Sequence, residues 1–211
     1  MAKFLIADDH PLYREALISA LSPLFEKIDI VQADSLDSTL DALQQNTDFD
    51  LVLLDLNMPG CENFYGLLRV SQDFPKMPVV VVSASDSSEV VSKVINLGAK
   101  GFIPKATTTQ TIANALIQIM DGKSWLPEGI EICIEKDTPV LDIAKLVGEL
   151  TPKQFQVLKL LQDGLLNKQI AYDLSITEAT VKAHISAVFR KLKVNTRTQA
   201  VLLLKHLDVP E

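Results

Sequence analysis

Five short runs of β-branched and apolar residues, each followed by a segment with apolar residues at helical spacing, fill the first 120 positions. This alternation constrains the fold more than any other feature of the chain. The runs are residues 3–7, 28–33, 51–54, 79–82 and 101–103. Between the first two, Leu12, Ala16, Leu17, Ala20, Leu21 and Leu24 recur at helical intervals, and segments 36–43, 67–70, 90–97 and 112–119 repeat the pattern. Strands alternating with helices form βαβ units, whose crossovers are right-handed and whose strands are parallel. The first part is therefore expected to be an α/β domain with a five-stranded, doubly wound parallel sheet.

In such a sheet, ligands sit outside the carboxyl ends of the strands. There the sequence places Asp8 and Asp9 after the first run, Asp55 after the third, Ser83 after the fourth and Lys105 after the fifth. Three carboxylates drawn together repel one another unless a cation neutralises them, and oxygen ligands of this kind suit Mg²⁺. A Lys ammonium and a Ser hydroxyl can hold phosphoryl oxygens while a carboxylate in line acts as nucleophile. Taken singly, each residue has an ordinary reading: a solvated Asp-Asp turn, a Ser capping a helix, a Lys as surface charge. Their joint placement at strand ends favours the chemical one.

Asp8-Asp9-His10-Pro11, Asp55-Leu56-Asn57-Met58-Pro59-Gly60, Ser83-Ala84-Ser85 and Gly98-Ala99-Lys100-Gly101-Phe102-Ile103-Pro104-Lys105 resemble, in this order and spacing, a response-regulator receiver domain of flavodoxin-like fold over residues 1–121. The resemblance implies that Asp55 takes a phosphoryl group from a histidine kinase. It also implies that Asp8, Asp9, Asp55 and the Asn57 backbone carbonyl bind Mg²⁺, and that Ser83 and Lys105 hold the phosphoryl oxygens. Phe102 would be an aromatic switch that follows Ser83; plain burial in the core is its alternative reading. One departure from the family is Cys61-Glu62-Asn63-Phe64-Tyr65, which delays the expected glycine to Gly66. This longer loop either alters kinase docking and phosphoryl lifetime or is a tolerated surface insertion.

The net charge of −7 argues against nucleic acid only while it is averaged over the chain. From Glu149 onward, nine Lys and Arg face six Asp and Glu, a net of +3, whereas the preceding residues carry 11 against 21, a net of −10. An acidic module is thus joined to one that can meet phosphates. The chain's apolar runs are a few residues long, far short of a membrane span, and carboxylates at Asp8 and Asp9 interrupt any signal-peptide core. Cys61 and Cys133 are isolated and lack metal or redox spacing. A cytoplasmic location without membrane partners is expected.

Residues 122–148 read as a linker, broken by Gly122, Pro127, Gly129 and Pro139, with a helical pattern at Val140, Ile143, Ala144 and Val147. Trp125 is expected to pack on a domain surface. From residue 149 to 211 the pattern is all-α. Thr151-Pro152-Lys153-Gln154 is a capping box that opens a helix stopped by Gly164. Asn167 is expected to cap a second helix, 168–174, and Thr177 a third that runs to Leu192. Thr196 with Gln199 opens a fourth, and the tight turn at Ser175 and Ile176 makes the middle pair a helix-turn-helix.

On the third helix Val181, Ile185, Val188, Phe189 and Leu192 share one side, while Ala179, Lys182, Ala183, Ser186, Arg190 and Lys193 point out. Small residues edged by basic ones let a backbone approach a major groove while cations meet phosphates. A solvated helix face is the alternative. Leu150-Thr151-Pro152, Gly164, Asn167-Lys168-Gln169-Ile170-Ala171, Thr180-Val181-Lys182-Ala183-His184 and Arg197-Thr198-Gln199-Ala200 resemble the LuxR-type helix-turn-helix of NarL/FixJ response regulators. By that resemblance Lys182, Ala183 and Ser186 face bases of double-stranded DNA, and Asn167, Lys168, Thr180, Lys191 and Arg197 favour phosphates. His184 is either a phosphate donor or an edge histidine. Gln154 and Gln169 stand where the family often has acids, and Leu166 where it often has Ser.

The combination implies a transcriptional regulator rather than an enzyme: phosphorylation releases the recognition helix and favours a homodimer matched to two half-sites. A regulator controlled by a ligand or protein docking on the receiver, without phosphorylation, is the alternative. A hydrolase using Asp55 lacks a further acid–base group, and no Walker-type loop is present.

Overall fold

A computed structural model of the chain describes residues 2–46, 48–130, 132 and 139–207. Cys133 lies outside them. Five strands, β1 (Ala2–Ala7), β2 (Ile28–Ala33), β3 (Leu51–Asp55), β4 (Val79–Ser83) and β5 (Gly101–Pro104), form one parallel sheet of order β2-β1-β3-β4-β5. The helices between and after them are α1 (Pro11–Leu21), α2 (Leu36–Gln45), α3 (Tyr65–Asp73), α4 (Ser88–Asn96) and α5 (Thr109–Met120). The central strand β3 is buried along its whole length, as a doubly covered parallel strand must be.

Alternation along the strands divides the core. Phe4, Ile6, Leu51, Leu53, Val80, Val82 and Ile103 pack with Leu17 and Leu21 of α1 and Ile112 and Leu116 of α5. Each such side chain, fully buried, stabilises by about 1.5–3 kcal/mol. The same period of two carries Asp55 to the face of Leu51 and Leu53, one rung beyond the apolar layer. Register lines up the ends: Ala7 pairs Leu54, Asp55 pairs Val82 and Ser83 pairs Pro104. Charged residues just past these rungs are therefore gathered at one edge.

Trp125 does more than cover a surface. It bridges Gly101 as a short parallel extension of the sheet, with Phe102 N donating to Trp125 O at 3.2 Å, and its ring packs on the core. A Cβ on Gly101 would stand 2.8 Å from Ile119 Cδ1 and 3.1 Å from Trp125 O, so a side chain here would press on the Ile119 tip and the Trp125 carbonyl.

The loop after β3 is no surface insertion. Cys61, Phe64 and Tyr65 have no exposed surface, and a Cβ on Gly66 would lie 2.1 Å from Cys61 Sγ. Asn63 and Phe64 adopt left-handed φ of 54° and 61°, a conformation that costs a non-glycine residue about 1–2 kcal/mol. Burial of the two aromatic rings offsets that cost.

The described residues fall into two compact units, one up to residue 132 and one over residues 139–207. Among its described residues the second is all-α, with α6 (Pro139–Gly148), α7 (Pro152–Gln162), α8 (Asn167–Asp173), α9 (Glu178–Leu192) and α10 (Arg197–Lys205). Helix α6 packs on α9 and α10, so the helical pattern expected within a linker belongs to the second unit. Val157, Leu161, Ile170, Ala171 and Val181 form its core. Thr151 and Thr196 close capping boxes with Gln154 and Gln199, and Thr177 Oγ1 accepts from Thr180 N at 3.1 Å. The cap of α8 differs from expectation: Leu166 holds the cap position and Asn167 is already helical. Gln169 Oε1 accepts from Leu166 N at 2.7 Å and supplies the reciprocal half of the motif alone. Ser175, at φ 52°, makes the tight turn into α9.

Candidate functional site

Asp8, Asp55 and Ser83 are almost wholly buried at the carboxyl edge of the sheet, with 1%, 0% and 1% of their surface exposed. Lys105 follows β5, its backbone N–H held by Ser83 O at 2.8 Å, which aims its side chain back over the strand ends. The ammonium reaches Asp8 Oδ2 at 2.7 Å and Asp55 Oδ2 at 2.9 Å. Asp55 Oδ1 accepts the Asn57 N–H at 3.2 Å, and Ser83 Oγ accepts from Ser85 N at 3.3 Å.

Burial raises the Asp55 pKa and the Asp8 charge adds to the rise, while the Lys105 hydrogen bond and charge oppose it. For Lys105, burial works against the ammonium, but hydrogen bonds and charges from Asp8 and Asp55 outweigh it and raise the pKa. Asp55 is thus a desolvated carboxylate held by a single cation.

Of the sequence-expected residues, the structure gathers Asp8, Asp9, Asp55 and Lys105 in one pocket, with Ser83 buried at the neighbouring strand end and Asn57 exposed at the rim. Phe102 is wholly inside the protein, as its core reading requires. Three further residues belong to the pocket. His10 Nδ1 lies 2.7 Å from Asp9 Oδ1 and 3.3 Å from Asp8 Oδ1. Arg14 donates to the Asp8 backbone carbonyl. The Tyr13 ring lies 5.1 Å from the Lys105 ammonium, and burial, followed by the charges of Asp8 and Asp55, pushes the phenol up to about 12. The missed signal was the immediacy of the helix: with Pro11 at the first position of α1, the first turn cannot avoid facing the strand ends.

Three carboxylates against one Lys leave the pocket negative. Ligand atoms of Asp8, Asp9, His10 and Asp55 all lie within 4.8 Å of one another, so the donor set fits a divalent cation.

In the second unit, Lys182, Ala183, Ser186, Arg190 and Lys193 are exposed along α9, while Val181, Val188 and Leu192 are buried. Ser186 Oγ donates to Lys182 O at 3.0 Å, which draws the hydroxyl onto the helix. Thr180 is half-buried and its hydroxyl bonds that of Thr177 at 2.9 Å; His184 is also half-buried. Lys168 is exposed on α8, with Asn167 half-buried beside it.

Two of the residues expected at phosphates make contacts within their own domain. Lys191 Nζ donates to Glu149 O at 2.7 Å and Gln154 Oε1 at 2.9 Å, fastening α9 to the start of α7. Arg197 Nη2 donates to Leu161 O at 3.0 Å and Leu165 O at 2.8 Å, closing the carbonyl end of α7. Both cations serve backbone and side-chain oxygens of their own domain.

Residues 4–117 match the family model of the response regulator receiver domain, and residues 148–204 that of the luxR family of bacterial regulatory proteins. A glycerol metabolism activator of Pseudomonas putida is 42% identical over 215 residues, spanning 99% of this chain and 97% of that protein. The nitrate/nitrite response regulator NarL of Escherichia coli K12 is 32% identical over 210 residues, with 95% and 94% covered. In fold the chain is similar to RcsB of Salmonella enterica serovar Typhimurium bound to promoter P1flhDC with a phosphomimetic, with a TM-score of 0.58, 22% identity and 98% of each chain covered. The chain belongs to the response regulators, as a receiver domain followed by a LuxR-type helix-turn-helix. Within them it is a DNA-binding transcriptional regulator of the NarL/FixJ family.

Proposed function

We propose that Asp55 accepts a phosphoryl group from the phosphohistidine of a histidine kinase and that this modification controls DNA binding by α9. The observation that carries the reading is a wholly buried Asp55 whose Oδ2 is held by the Lys105 ammonium. An Asp55 oxygen attacks phosphorus, the P–N bond breaks, and the leaving imidazole keeps the electron pair and takes up a proton. Lys105 exchanges its carboxylate partners for the new phosphoryl oxygens, and Ser83, at the neighbouring strand end, turns its hydroxyl to them. Asp8, Asp9, Asp55 and the Asn57 carbonyl would hold Mg²⁺, which neutralises charge on the transferring group.

On α9, Lys182, Ala183 and Ser186 face the bases, and Thr180 and His184 of α9 with Asn167 and Lys168 of α8 lie toward phosphates. A homodimer would present two such helices to paired half-sites, in the cytoplasm where kinase and duplex DNA are both accessible. Among the described residues no helix is long and apolar enough to cross a membrane. The relative named a glycerol metabolism activator supports activation as the sign of control.

The test is Asp55→Asn in the full chain, with acetyl phosphate as donor. Labelling and the phosphodonor-dependent gain in DNA affinity should both disappear. A variant that still gains affinity would instead favour control by docking on an unphosphorylated receiver.

A further inference from the structure

We propose that Tyr13 is a positioning residue for Lys105: its ring face keeps the ammonium over the strand ends while Lys105 exchanges carboxylate for phosphoryl oxygens. The inference rests on the reading of Asp55 as the phosphoryl acceptor. Tyr13 stands in the first turn of α1, where Pro11 starts the helix and the Tyr13 N–H donates to His10 O at 3.1 Å. From there the ring packs against the core shared by α1, α5 and the sheet, and the Lys105 ammonium lies over it, 5.1 Å from the centroid. A cation within about 6 Å of an aromatic face is drawn to the negative side of the ring's quadrupole.

The hydroxyl takes no part in this. Tyr13 Oη is buried and has no hydrogen-bond partner among the described residues. A buried hydroxyl in that state contributes no attraction and carries a desolvation cost. Packing on one side and the cation on the other therefore place the ring, and phenylalanine should serve as well.

Ring and carboxylates hold Lys105 in different ways. Asp8 Oδ2 at 2.7 Å and Asp55 Oδ2 at 2.9 Å bind the ammonium directly, but their negative charge opposes an arriving phosphoryl group. The ring has no net charge and opposes it far less. Its attraction also fixes no single N–H direction, so the ammonium can turn from one set of oxygens to another without leaving the ring face. Of the partners described for this ammonium, the ring is the one that the exchange does not have to break. Lysine carries its charge on a flexible four-carbon stem. A platform beneath that charge removes in advance part of the freedom that would otherwise be lost when phosphoryl oxygens are bound.

The experiment uses the full chain with lysine labelled at ¹³Cε, as wild type, Tyr13→Leu and Tyr13→Phe, with Lys105→Met to identify the Lys105 signal by its loss. Beryllofluoride, a phosphoryl mimic, is titrated in the presence of Mg²⁺. In wild type the ring current should move the Lys105 ε-protons upfield of the other lysines. Tyr13→Leu should abolish that shift and weaken beryllofluoride binding about fivefold, the scale of a modest cation–π contact. Tyr13→Phe should restore both. A wild-type Lys105 signal without the shift, undiminished affinity in Tyr13→Leu, or a Tyr13→Phe that binds no better than Tyr13→Leu overturns the role of the ring and leaves Asp55 standing as acceptor. A wild type that does not respond to beryllofluoride overturns the acceptor reading and the inference with it.

Discussion

The receiver pocket and the outward face of α9 both depend on lysine, and they use it in opposite ways. Lys105 is held between two buried carboxylates, whereas Lys182 lies exposed on a helix face. An incoming phosphoryl group must take Lys105 from partners it already has, so that site acts by exchange and rearrangement. A nucleic acid that reaches Lys182 displaces only water and counterions, so that site acts by addition and weakens with salt. Lys191 and Arg197 show a third use, in which a cation bonds to oxygens of its own domain.

The largest expected effect falls at the receiver's distinctive loop. In Gly66→Ala the new Cβ would lie 2.1 Å from Cys61 Sγ and 2.9 Å from Cys61 Cβ, and the Cys61 side chain is fully buried. A loss of about 3 kcal/mol is expected, at the upper end for overpacking. Urea unfolding should show it in the receiver transition. Combining it with Cys61→Ala should recover part of the loss, because sulfur is the nearest obstacle. Strictly additive losses in the double variant would refute a Cys61–Gly66 lock.

A paired substitution then separates the second domain's two kinds of cation. Lys182→Ala should weaken DNA binding by about 1–3 kcal/mol and relax base preference while leaving the unfolding midpoint in place. Arg197→Ala should do the reverse, costing about 1–3 kcal/mol of folding stability because two carbonyls at the end of α7 lose their donor. Direct affinity measurements below the unfolding temperature distinguish them. If Arg197→Ala lost affinity at unchanged stability, its guanidinium would be a phosphate contact after all.

These residues also show what was legible in advance. Asp8, Asp55, Ser83 and Lys105 could be read because a parallel sheet sends its strand ends to one edge, and strands are visible as short apolar runs. Val181, Val188 and Leu192 could be read because helical period alone decides which side is buried. The intradomain partners of Arg197 and Lys191 could not, since a cation that meets phosphate and one that meets a carbonyl have the same sequence signature. Their partners, Leu161, Leu165 and Glu149, lie more than 30 positions away. Phe64 and Tyr65 failed differently: extra residues in a loop suggest solvent, and only tertiary packing makes burial of two aromatics outweigh a left-handed backbone. Trp125 and α6 show the same limit at the boundary, where breakers mark the ends of elements without saying to which unit those elements belong.

A smaller effect sharpens the contrast between capped and uncapped helices. Leu166 heads α8 with no acceptor and is 67% exposed, while Thr151, Thr177 and Thr196 cap their helices with hydroxyls. Leu166→Ser should raise the domain's stability by about 1 kcal/mol, the usual worth of an N-cap. An unchanged midpoint would mean that Gln169 already satisfies this end.

The smallest effect is a slope, confined to alkaline pH and to the receiver. The Tyr13 phenol is raised from 10.0 to about 12, and Lys105 is raised as well. For both, the native state keeps a proton that the unfolded chain has begun to lose, so native protein binds more protons in that window. Their contribution is fully present below the unfolded values and disappears as pH rises through the native ones. Receiver stability should therefore fall between about pH 10 and 12. Tyr13→Phe keeps the ring beneath Lys105 but has no phenolic proton, so it should fall less steeply; Lys105→Met should lose the ammonium's share. Urea midpoints measured across that range decide it. An undiminished slope in Tyr13→Phe would show that the phenol titrates as freely in the fold as out of it, and that the pocket's negative field does not reach the first turn of α1.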